Sequence, residues 1–185
     1  MLCLRLATLL VLVLEVSLGA AFPHDPLRKG CSLFRYRQIE RDEKEAVKKM
    51  QKEFRKIRQP GRNCNIWLFD REWMLAQLSV PDRVVLVEAE LDFTIMMLQL
   101  STHPGFTKTR QRPLDFLTHA REHLRGCVSA PAPSHQPSGK VSQWLQNLQE
   151  AMGRENIGCL QDYAVRHVLE VLEDLKCAAL QEQCS

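Results

Sequence analysis

The 185-residue chain has little of what punctuates small β structures: 8 Gly, 9 Pro and 6% aromatic residues. A sandwich or barrel, which needs a turn about every ten residues, is excluded on that count. The sequence also lacks a Gly-rich phosphate loop, a G-x-S-x-G elbow and any Cys-x-x-Cys pair. The usual signatures of nucleotide binding, serine hydrolysis and thiol redox chemistry are therefore missing. None of Asn63, Asn65, Asn147 or Asn156 is followed two residues later by Ser or Thr, which removes N-glycosylation. No apolar run approaches the roughly 20 residues that span a bilayer, so membrane insertion is not expected.

What is present is 45% hydrophobic and 25% charged residues, with abundant Leu, Glu, Gln, Lys, Arg and Ala. This is the composition of one compact helical domain. Met1 to Arg5 is a short basic start, Leu6 to Leu14 an apolar run broken at Glu15, and Gly19-Ala20-Ala21 supplies small residues for cleavage. The pattern is that of a secretory signal peptide over 1–21, leaving 22–185 as a secreted, extracellular domain. Cleavage after Ala21 discards Cys3 and leaves Cys31, Cys64, Cys127, Cys159, Cys177 and Cys184. In an oxidising compartment these would form three disulfides, and the count alone leaves their pairing open. A domain of about 160 residues buries roughly two thirds of its extended surface, so its core needs no metal to support it.

The apolar spacing predicts helices and no strand. Val47, Met50, Phe54 and Ile57 draw a stripe along a helix from Glu43 to Ile57, ended by Pro60-Gly61. Asp70 is placed to cap a short helix through Leu78. Ser79-Val80-Pro81-Asp82 is a strong start signal for a long helix to about Leu100, with Val84, Val87, Leu91, Ile95 and Leu98 on one face. Pro113 is expected to open the next helix, with Leu114, Leu117 and Leu124 inward, running to Gly126-Cys127. Pro131, Pro133, Pro137 and Gly139 read as a linker, followed by a helix carrying Val141, Trp144, Leu145, Leu148 and Met152. Gly153 to Gly158 breaks it. The last helix carries Leu160, Ala164, Val168, Val171, Leu172, Leu175 and Ala179. Long helices joined by long, Pro-interrupted connections suggest an all-α, up-up-down-down cytokine bundle with crossover loops.

Charge is unevenly placed. Between Arg28 and Arg62, thirteen Lys or Arg stand against five acidic residues, whereas the whole chain carries only +3. A helix bearing Lys44, Lys48, Lys49, Lys52, Arg55 and Lys56 would attract a sulfated glycan such as heparan sulfate or an acidic receptor surface; the alternative is a solvated helix face. No aromatics are interleaved, so the stacking platform of a nucleic-acid binder is absent. His119-Ala120-Arg121-Glu122-His123 spells H-x-x-E-H, the inverted zinc-protease pattern, in which two His hold zinc and the Glu activates water. A catalytic site would need a third ligand in a cleft, and His119 lies off the Leu114, Leu117, Leu124 stripe, so solvated histidines are the better reading. A zinc hydrolase would require stoichiometric zinc and a large activity loss in His123→Ala. No cofactor and no enzyme activity are expected.

The segments SVPDRVVLVEAELDFTI (Ser79 to Ile95), PLDFLTHAREHLRGC (Pro113 to Cys127), WLQNLQEA (Trp144 to Ala151), GCL (Gly158 to Leu160) and DLKCAA (Asp174 to Ala179), in this order, resemble interferon lambda, the type III interferons. The resemblance implies disulfides Cys31–Cys127, Cys64–Cys159 and Cys177–Cys184. It also implies a cytokine that joins two receptor chains: the interferon-lambda receptor, met by the first helix, the loop after it and the last helix, and the interleukin-10 receptor beta chain, met by a separate face including the helix-D region. Janus kinase and STAT signalling to an antiviral state would follow. Carried onto this chain, the first receptor face comprises Lys48, Lys49, Lys52, Arg166, Leu169 and Glu170. Arg166 and Leu169 stand where the family often presents exposed aromatics, which puts the location of the binding anchor in question. Another cytokine of the interleukin-10 class, with a different private receptor, is the neighbouring reading.

Overall fold

A computed structural model describes residues 33–58, 64, 66–128 and 135–184. The expected signal peptide, Cys31, Pro60-Gly61, Pro131 and Pro133 lie outside them. Five helices form the described bundle, with no strand among the described residues: α1 (Arg41–Ile57), α2 (Val80–Gln99), α3 (Pro104–Val128), α4 (Gly139–Arg154) and α5 (Ile157–Leu180). This is the all-α helical cytokine bundle.

Each helix has a local cause. In α1 the buried Val47, Met50 and Phe54 recur at helical spacing. Asp42 and Glu43 occupy its first turn and Arg55 and Lys56 its last, matching the helix dipole at both ends. α2 is capped by Ser79, whose Oγ accepts from the Asp82 N–H at 3.3 Å, with Pro81 in its first turn. α5 begins at Asn156, whose Oδ1 accepts from the Gly158 N–H at 2.9 Å. The Asp82 carboxylate also receives His135 Nε2 at 2.8 Å and the Ser138 N–H at 3.1 Å, so one side chain fastens the starts of α2 and α4 together. Burial opposes its ionisation, but these hydrogen bonds prevail and hold its pKa below the usual value.

α2 and α5 form the centre. The expected stripe of α2 is inward apart from the half-buried Val84, and Leu86, Phe93 and Met97 are buried as well. α2 packs chiefly on α5 and α3, and α1 on α3. The polar ends are closed by arginines from other elements. Arg110 of α3 donates to the carbonyls of Leu98 and Ser101 at the end of α2. The buried Arg83 donates to the carbonyls of Ala76, Leu78 and Gln181, joining a 3₁₀ turn at Leu75–Gln77 to the end of α5.

Two expectations are corrected. The segment from Asp70 to Leu78 is not an α-helix; it is irregular apart from the turn at Leu75–Gln77, with its Arg71 side chain held by Glu90 and Asp174 and its Ala76 and Leu78 carbonyls by Arg83. Helix α3 opens at Pro104, not Pro113. Pro104 meets the first-turn preference, the Thr107 N–H bonds the His103 carbonyl at 2.9 Å, and Phe106 is fully buried against Phe54. Pro113 lies buried inside the helix, where its missing N–H removes one backbone hydrogen bond.

Two disulfides lie among the described residues. Cys64–Cys159, spanning 95 positions, fastens the segment after α1 to the start of α5, and Cys177–Cys184 closes the chain end. A loop of the first size contributes about 4–5 kcal/mol in the chain-entropy account. Cys127 is buried at the end of α3; its expected partner, Cys31, lies outside the described residues.

The most buried charge is Glu90 of α2, with 0% exposure. Arg71 donates to Glu90 and, at 2.5 Å, to Asp174 of α5. Desolvation, then the nearby Asp174 charge, push the Glu90 carboxyl well above its usual value, which favours its protonated form. A carboxyl raised in the folded state supports folding below its unfolded value and loses that support as pH rises toward its folded value. Glu90→Gln, neutral at every pH, is expected to fold with stability at pH 7 equal to wild type or higher, by up to about 2 kcal/mol. Glu90→Ala is expected to cost about 3 kcal/mol by exposing the remaining charges to a void. Guanidinium unfolding at pH 5 and pH 8 checks this: wild type must lose stability relative to Glu90→Gln as pH rises.

Candidate functional site

The described surface with the most constrained architecture is the face shared by α1, α5 and the segment 64–78. α1 and α5 are antiparallel neighbours. Gln51 Nε2 donates to the carbonyls of Val165 at 2.9 Å and Arg166 at 3.0 Å, and Lys44 Nζ pairs with Glu173 at 2.6 Å. Arg58, just past α1, pairs with Asp162 at 2.9 Å, and Arg166 reaches the same carboxylate at 3.3 Å. Gln51 opposite 165–166 and Lys44 opposite 173 bring Lys48 level with Leu169. Lys48, Lys49, Lys52, Arg166 and Glu170 are exposed, whereas Leu169 is half-buried against the core. Lys48 thus lies along the α1–α5 seam with Arg166, Leu169 and Glu170, whereas Lys52 and then Lys49 lie progressively farther round α1 from it.

The segment after α1 is pinned across α5. Beyond Cys64–Cys159, the Phe69 N–H donates to Tyr163 Oη at 2.5 Å, Arg71 reaches Asp174, and Trp144 Nε1 of α4 donates to the Leu68 carbonyl at 2.6 Å. The Phe69 ring stacks on Tyr163 and His167, with centroids 5.5 and 5.2 Å away. Held this way, the segment leaves Trp67 69% exposed beside a largely polar face. Trp67 and Arg71 were not singled out from sequence; the signal available was the aromatic density of Ile66-Trp67-Leu68-Phe69 next to Cys64.

Burial, reinforced by the positive Arg166, depresses the His167 pKa to about 4, and burial raises that of Tyr163 to about 12. At neutral pH His167 is therefore uncharged, and its 3.7 Å approach to Glu170 is not an ion pair.

The H-x-x-E-H residues are separated by their surroundings. His119 is exposed, while His123 Nδ1 is 2.6 Å from Tyr36 Oη and its ring packs on Tyr36. No group of three His, Cys, Asp or Glu placed to hold a metal occurs among the described residues. No helix among them is long and apolar enough to cross a membrane.

A family model described as Interleukin-28A matches residues 28–181. The chain is 46% identical to interferon lambda-3 of Gallus gallus over 186 residues, covering 100% of both chains. It is 31% identical to interferon lambda-3 of Mus musculus over 84% of this chain and 83% of that one. It is 30% identical to interferon lambda-1 of Homo sapiens over 84% of this chain and 80% of the other.

A histidine depressed from 6.5 to about 4 contributes stability that is complete above 6.5 and is lost as pH falls toward 4. His167→Phe keeps a ring between Phe69 and Tyr163 and has no proton to gain. Thermal melts between pH 7 and pH 4.5 are expected to show wild type losing several degrees more than His167→Phe; parallel losses would contradict the placement of this ring.

Proposed function

The chain belongs to the interferon lambda family, the type III interferons, which are cytokines rather than enzymes, and from that premise we propose that it is secreted and acts by holding two different receptor chains together. The pair is the interferon-lambda receptor and the interleukin-10 receptor beta chain, and their approach starts Janus kinase and STAT signalling toward an antiviral state. The observation that carries this reading is the stitched α1–α5 face: two helices and a covalently pinned segment give a partner a surface that needs little ordering on binding. Lys48, Lys49, Lys52, Arg166 and Glu170 supply its charged contacts. Leu169, half-buried, supplies apolar area close to the core, and the exposed aromatic anchor comes from Trp67 instead of the last helix. Large aromatics dominate interface energies when enclosed by a partner, which favours Trp67 for this role.

The test is binding of the refolded mature chain to the immobilised interferon-lambda receptor ectodomain, with a type I interferon receptor ectodomain as control. Selective binding that tightens when the interleukin-10 receptor beta ectodomain is added is the expected result. Trp67→Ala should weaken the first interaction about thirtyfold or more, as loss of a binding hot spot does. Leu169→Ala should weaken it less and also lower thermal stability. Equal binding to both receptors, or none by a correctly bridged chain, would move the assignment to another receptor of the interleukin-10 class.

A further inference from the structure

The outward side of α1 carries a row of cations with no apolar residue among them. Arg41, Lys44, Lys48, Lys52 and Arg55 recur at three- and four-residue steps, as Val47, Met50 and Phe54 do on the buried side, and so run along the opposite side of the same helix. Lys49 and Lys56 border the row. From Arg41 to Lys56 it extends about 22 Å at the rise of an α-helix. At its ends and edge the charges are partly matched: Arg41 pairs with Glu45 at 2.8 Å, Lys44 with Glu173 and Lys56 with Glu53 at 2.6 Å each. In its middle, Lys48, Lys49, Lys52 and Arg55 are exposed and pair with no carboxylate among the described residues.

The shape of this charge selects the class of ligand. A protein interface gathers around apolar or aromatic anchors, an anionic membrane would call for apolar residues to insert, and a nucleic-acid strand would call for rings on which bases stack. The outward row of α1 offers none of these. A narrow, straight strip, cationic apart from Glu45 near its start and free of apolar groups, fits a linear polyanion that binds through its charges alone, and we propose that it is a docking strip for a sulfated glycosaminoglycan. The strip shares Lys48, Lys49 and Lys52 with the receptor face proposed above, whereas Arg55 lies outside the six residues assigned to receptor contact.

The experiment compares elution of the refolded mature chain from immobilised heparin, from N-desulfated heparin and from a sulfopropyl cation exchanger. The charge-matched doubles Lys52→Gln/Arg55→Gln, in the strip, and Lys140→Gln/Arg154→Gln, on α4, are run beside it. Wild type is expected to need more sodium chloride on heparin than on either other matrix. The strip double should lose that margin and bind heparin about ten- to thirtyfold more weakly, while the α4 double stays near wild type. Lys48→Gln/Arg55→Gln replaces the strip double if circular dichroism shows it unfolded. Equal elution from all three matrices, equal shifts in both doubles, or displacement by single-stranded DNA as efficient as by heparin would overturn the proposal. Receptor binding of the same samples is read separately, so unchanged heparin retention in the strip double would count against the strip alone, whatever its receptor binding.

Discussion

A helix packed on several sides has to dispose of its polar side chains inside the protein, and Glu90 is where α2 meets that constraint. An isolated carboxylate with no access to water is too costly to keep. The bundle resolves this by lending Arg71 from the irregular segment and Asp174 from α5, and by favouring the protonated form of Glu90. The cluster is then close to neutral, and the segment that supplies Arg71 is drawn across the bundle. Much of the geometry of the α1–α5 face follows from that placement, since Phe69, Tyr163 and His167 stack near these charges.

The segment from Cys64 to Leu78 has few hydrogen bonds of its own, yet it is held at several points by other elements: a disulfide, a backbone N–H on Tyr163, an arginine fork and the Trp144 indole. Such a connection has the reach of a loop without a loop's entropy, which suits a surface that must present side chains to a partner. α1 depends on it less. Its attachment to α5 runs through Gln51 and through ion pairs at the rim, and its cationic side takes no part in packing.

The sequence disclosed those elements whose stability is local. Val47, Met50 and Phe54 in α1, and the seven inward residues of α5 from Leu160 to Ala179, fall where the 3.6-residue period puts them. The misreadings lie where distant groups outbid local preference. Asp70 to Leu78 has the look of a capped helix, but Arg71 is claimed by Glu90 and Asp174 and the Ala76 and Leu78 carbonyls by Arg83, groups that come from other elements. Pro113 looks like a start because prolines favour the first turn, yet Pro104 has the same virtue and Phe106 adds buried area. The Glu90, Arg71 and Asp174 cluster had no sequence signature, because its members come from separate elements and their pairing exists only once α2 and α5 are side by side. Order and cysteine placement, by contrast, carried the family resemblance over nearly the whole chain.

The antiparallel contact between α1 and α5 sets a row of outward lysines beside a helix whose outward residues include Glu170 and Glu173. The two stripes give this face of the molecule a transverse electric dipole. An approaching protein carrying the reversed stripes feels a torque before it feels a contact, and is turned into register during diffusion. Salt would then slow the encounter far more than it hastens the separation, because the orienting field acts at a distance whereas the lifetime of the complex belongs to the groups that end up buried.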